Sequence, residues 1–101
     1  MAIFFVTEII DGKTIRVNKN WNWDSKVGNL VKISGYRTPN IEAMKLTKTK
    51  LERLIKGKLI KLKNATMVRK TVAGENAIFA HVFLDEIDIS QYFPELPAES
   101  S

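Results

Sequence analysis

Leu30-Val31-Lys32-Ile33-Ser34-Gly35-Tyr36-Arg37-Thr38-Pro39-Asn40 is the stretch on which the fold turns. Its first half is apolar and β-branched, as in a strand, and it bends near Gly35. Pro39 has no N–H to donate, so no ladder runs on through it. Asn40 is a good helix N-cap, because its side chain can accept from a free N–H of the first turn. From Ile41 to Lys56 the spacing is helical. Met44, Leu51, Leu54 and Ile55 fall on one face with Thr47 between them, and Lys45, Lys48, Glu52 and Lys56 on the other. Gly57 supplies the left-handed stop. A strand ends here and a helix follows it.

Working outward, Phe4 to Ile10 reads as a strand that stops at the turn pair Asp11-Gly12. Thr14 to Val17 resumes as its hairpin partner. Asn18 to Asn29 is rich in asparagine and reads as a loop or an irregular hairpin tip. Beyond the helix, Lys58 to Asn64 has period two, with Ile60 and Leu62 facing one way and Lys61 and Lys63 the other. Thr66 to Val72 either continues that strand or begins the next. Ala73 to Asn76 is a turn, and Ala77 to Leu84 is an apolar strand. Ile87 to Phe93 is a short strand or a single helical turn. The expectation is a mainly β domain over residues 1–93, with a mobile polar tail at 94–101. Five strands with one helix between the third and fourth is the order of an OB-fold, a five-stranded Greek-key barrel.

Composition narrows the function classes. The chain has 101 residues, 45% hydrophobic and 27% charged, which suits one globular domain. Its longest apolar run, Ala2 to Val6, is too short to cross a bilayer, and no signal peptide is read; the expected compartment is cytoplasmic, without a membrane partner. There is no cysteine, which removes disulfides and thiol chemistry. His81 is the single histidine, so a site built from several histidines is excluded. In an apolar strand it reads as a half-buried histidine with one hydrogen bond, without a catalytic role. The net charge is +5. Bases crowd the span from Lys45 to Lys70, while every charged side chain after Lys70 is acidic. That asymmetry suggests a positive face and a negative end.

The order of motifs resembles the staphylococcal-nuclease family. Ile9-Ile10-Asp11-Gly12-Lys13-Thr14-Ile15-Arg16-Val17 is similar to its strand, Asp-Gly-Asp-Thr and second strand. Thr38-Pro39 stands where its Thr-Pro pair precedes the helix, and Glu42-Ala43 where that helix begins. Leu51 to Ile60, with Gly57-Lys58, is similar to its helix end and next strand. Phe79-Ala80-His81-Val82-Phe83 echoes a later strand. The resemblance implies the OB barrel and a calcium-dependent phosphodiesterase site of carboxylates, a general-base glutamate and two arginines. Those positions have changed. Lys13 and Arg37 stand where the family has metal-binding aspartates, Asn40 where it has the glutamate, Lys32 where it has an arginine, and Asn76-Ala77 where it has Gly-Arg. Two cations repel Ca²⁺ rather than bind it. The expectation is a domain without catalytic residues, metal or cofactor.

Two uses of such a scaffold follow. One is binding of nucleic acid, single strands above all, through interleaved bases and aromatics: Lys13, Arg16, Lys19, Trp21, Trp23, Lys26, Lys32, Arg37, Lys61 and Lys63. Trp21 and Trp23 either stack bases or pair across a long hairpin and cover the core edge. The other is a protein-interaction or structural module in a larger assembly. An active nuclease with a rearranged site is the third and weakest reading, since both metal ligands and base are missing.

Overall fold

A computed structural model of the chain describes residues 3–99. Met1, Ala2, Ser100 and Ser101 lie outside it, so the apolar run is followed from Ile3 and the tail as far as Glu99. Six strands form in chain order: β1 (Ile3–Ile9), β2 (Thr14–Trp23), β3 (Lys26–Ile33), β4 (Leu59–Lys70), β5 (Asn76–Leu84) and the short β6 (Ile87–Asp88). One α-helix, α1 (Ile41–Leu54), lies between β3 and β4, and a 3-10 turn follows at Ile89–Tyr92. The sheet runs β3-β2-β1-β4-β5-β6. A parallel pairing of β3 with β5 joins its two sides and closes a five-stranded mixed barrel. This mainly β architecture is OB-like.

Period two builds the barrel wall. Phe4 and Val6, Ile15 and Val17, Val31 and Ile33, and Ile78, Ala80 and Val82 alternate into one buried core with Ile60. The first turn is set by Asp11, whose Oδ1 accepts the Lys13 N–H at 2.8 Å. Gly12 sits beneath the helix. A Cβ there would lie 2.7 Å from the Met44 carbonyl oxygen, so only glycine admits the close packing. Asn40 caps α1, its Oδ1 accepting the Ala43 N–H at 2.8 Å. Thr47 and Leu51 are its buried side chains, and Ile55 just past its end is buried too. The helix ends at Leu54, two residues short of the expected Lys56, with Ile55 as C-cap and Gly57 at φ +76.

Two expectations resolve or change. Residues 66–70 continue β4, with a register shift between Lys63 and Met67. Asn18 to Asn29 takes the hairpin alternative: β2 and β3 form a long, irregular hairpin whose tip is Asp24-Ser25, both at positive φ. Trp21 is 2% exposed, with its indole Nε1 donating to the Leu30 carbonyl at 2.8 Å. Gly28 gives it room, since a Cβ there would stand 2.7 Å from the indole Cζ2. Segment 94–99 runs back along the chain that follows β3, where Ala98 bridges Tyr36 and the Arg37 N–H donates to the Pro97 carbonyl at 2.9 Å.

Candidate nucleic-acid interface

The barrel closure decides which charged side chains meet. In β5 the inward residues are Ile78, Ala80, Val82 and Leu84, so Phe79, His81 and Phe83 point outward, each half-buried. Directly paired residues share a face. Phe79 is flanked by Lys32 of β3 on one side and Met67 of β4 on the other. Ala77 lies between Leu30 and Arg69. Lys63 pairs with His81 and Lys61 with Phe83, and the Lys63 ammonium sits 4.5 Å from the Phe83 ring centroid. A groove of about 330 Å³ opens here, lined by Lys32, Arg69, Lys70, Thr71, Val72, Ala77 and Phe79. It combines three cations with one aromatic face.

Ion pairing takes up some of the other bases. Among the described residues, five of the six acids beyond Lys70 are paired: Glu75 with Arg16, Glu86 with Lys61, Asp88 with His81, Glu95 with Lys50 and Glu99 with Lys13. The expected negative end is thereby folded back, four of its acids onto Lys or Arg. Lys32, Lys63, Arg69 and Lys70 make no ion pair among the described residues, and neither do Lys19, Arg37, Lys45, Lys48, Arg53, Lys56 and Lys58; the first four are set apart by their place around the outward rings of β5. The Arg16 guanidinium is held further into its charged form by the hydrogen bond to Glu75. The Lys61 ammonium, hydrogen-bonded to Glu86, pulls that exposed carboxyl below the usual range.

The ten residues expected at the interface fall into separate groups. Lys32, Lys61 and Lys63 lie on the β3–β5–β4 face. Arg16 adjoins it on β2 but is engaged by Glu8 at 3.3 Å, Glu75 at 2.9 Å and Asn29 at 2.8 Å. Lys26 lies beside Asp24 at the hairpin tip, 3.7 Å away. Lys19, Trp21 and Trp23 line a different cavity, of about 370 Å³, with Phe4, Leu62 and Ile78 at the start of β1 and end of β2. Lys13 and Arg37 lie beyond the end of β3, against segment 97–99. Phe79, Arg69 and Lys70 are the members not named from sequence. The period-two pattern of Phe79, His81 and Phe83 was the available signal, because it puts three rings on one face.

The calcium positions implied by the family resemblance do not fit a cation. The Lys13 ammonium donates to the Tyr36 carbonyl at 2.7 Å and pairs with Glu99 at 3.2 Å. Asn40 is committed to capping α1. Among the described residues, no group of three or more His, Asp or Glu could hold a metal ion. No described helix is long and apolar enough to cross a membrane. Fold and site together define an OB-like barrel with a basic, aromatic outer groove. No family model, curated protein or solved structure matches the chain.

Proposed function

We propose that this chain is a non-catalytic OB-fold domain, degenerate relative to the staphylococcal nucleases it resembles, that binds single-stranded nucleic acid across β3, β5 and β4. The observation that carries the reading is Phe79, half-buried between Lys32 and the Arg69-Lys70 pair, with none of those cations matched by an acid among the described residues. A ring at the floor of a cationic groove stacks a base while the flanking charges take phosphates. The groove holds no acid to activate water, so the strand is bound rather than cut.

Titration of labelled oligonucleotides at several salt concentrations tests this. Four phosphate contacts, at Lys32, Lys63, Arg69 and Lys70, give a log–log salt slope of about −2.8 for a single strand. Phe79→Ala lowers affinity at least about fivefold, from a stacking contribution of roughly 1–3 kcal/mol, and leaves the slope alone. The pair Lys32→Glu and Arg69→Glu flattens the slope. Absence of binding at low salt refutes the proposal. The protein-interaction reading then gains from a different surface: Ile3, Phe5 and Leu59 are 47%, 42% and 61% exposed on the outer face of β1 and β4, where Phe5 pairs with Leu59. A patch of this kind marks a protein contact.

A further inference from the structure

Beyond Lys32 the end of β3 adjoins the first turn of the chain. Thr14 pairs with Lys32, and the Ile33 N–H donates to the Lys13 carbonyl at 2.7 Å, so Lys13 follows directly on that side. Here the chain already holds an anion of its own. The Glu99 carboxylate accepts the Gly35 N–H at 3.1 Å through Oε1 and pairs with the Lys13 ammonium at 3.2 Å through Oε2. Arg37 binds the same segment twice, through its backbone N–H to the Pro97 carbonyl at 2.9 Å and its Nε to the Ala98 carbonyl at 3.3 Å. Gly35 is at φ +114, and a Cβ on it would lie 3.0 Å from Ser90 Cβ; the bare backbone leaves its N–H open to an oxygen.

An ammonium and a backbone N–H converging on two carboxylate oxygens is the donor set that holds a phosphate. We infer that the notch of Lys13, Gly35 and Arg37 is an oxyanion site for the phosphodiester backbone of a bound strand, and that segment 97–99 closes it with Glu99 as an internal competitor. This rests on the nucleic-acid reading of the adjoining groove and adds regulation to it. The strand reaching Lys13 displaces Glu99, and the charge of the notch then joins that of Lys32. The contacts to be exchanged are exposed, with Glu99 at 38% side-chain exposure, so the closed state is held by weak bonds that a polyanion can outbid.

The test compares wild type, Glu99→Gln and the control Glu95→Gln, which makes the same charge change beside Lys50, away from the notch. A fluorescent single-stranded oligonucleotide is titrated across salt, and the Gly35 and Arg37 amides are followed by NMR. With Glu99→Gln, affinity rises about threefold, the scale of one exposed ion pair released to the ligand. Its salt slope matches that of wild type, because the bound strand occupies Lys13 in both and adds about 0.7 to the slope of the groove alone. Glu95→Gln changes neither beyond the general charge effect. In wild type, saturating oligonucleotide shifts the Gly35 amide and lowers hydrogen-exchange protection at Arg37. If the strand binds with Phe79 responding while both amides stay as they were, the inference falls and the groove reading stands. If no oligonucleotide binds wild type or variant, both fall together.

Discussion

Replacing Trp21 by Phe separates the two uses open to that residue. The indole is 2% exposed and its Nε1 donates to the Leu30 carbonyl, itself in a buried residue. Phenylalanine removes this donor; the carbonyl keeps its place in the β3–β5 ladder, so the lost hydrogen bond costs about 0.5–1.5 kcal/mol. The smaller ring also leaves part of the indole volume unfilled, at a further cost of up to about 1 kcal/mol. With a combined loss near 1.5 kcal/mol, and about 4–8 °C per kcal/mol for a domain of this size, the midpoint falls by about 6–12 °C. Thermal melts followed by circular dichroism measure it. Oligonucleotide affinity, taken well below the melting range, stays within about twofold of wild type, because a covered ring offers no face for stacking. An unchanged melt with affinity down tenfold or more would refute this reasoning and return Trp21 to the binding surface.

Two further outcomes follow from the same packing. Gly28→Ala places a methyl 2.7 Å from the Trp21 ring and 2.8 Å from the Asn76 carbonyl oxygen; it costs about 1–3 kcal/mol. A smaller cost in the Trp21→Phe background, read from melts of all four proteins, shows that the ring is the obstacle. Tyr36 titrates above the ordinary phenol value of 10.0, chiefly because burial disfavours the phenolate and secondarily because Asp11 repels it. Since the folded value is raised, its contribution to stability is complete below about pH 10 and is lost as pH rises toward the folded value. Wild type therefore loses midpoint in alkali, and Tyr36→Phe, though less stable at neutral pH for want of the bond to the Gly12 carbonyl, loses less.

Much of the fold is legible because its signals are local. Asp11-Gly12 turns the chain, Asn40 caps the helix, and Gly57 takes the positive φ that ends it, each through bonds made within a few residues. The second hairpin is less legible for a physical reason. Between Arg16 and Trp21 the register with β3 shifts, and Asn18, Lys19, Asn20 and Asn22 are exposed. Their ladder is a strand while their side chains are those of a loop. The tip adds to this, since Asp24-Ser25 adopts positive φ at both residues without the glycine that usually announces such a turn.

The interface is less legible still, because it depends on closure. Lys32 and Arg69 are far apart in sequence, and only the parallel β3–β5 contact, with β4 antiparallel to β5, sets them on either side of the outer face of β5. Composition shows that bases precede acids along the chain; it does not show that Glu75, Glu86, Glu95 and Glu99 return to Arg16, Lys61, Lys50 and Lys13. The charge available to a ligand is what remains after this pairing. A lysine run alone therefore overstates some positions, Lys61 among them, and understates Lys32, which lies outside the run and gains its neighbours through the β3–β5 pairing. The same return of the acids puts Glu99 on the Gly35 N–H and the Lys13 ammonium, a contact across 64 and 86 residues that composition does not reveal.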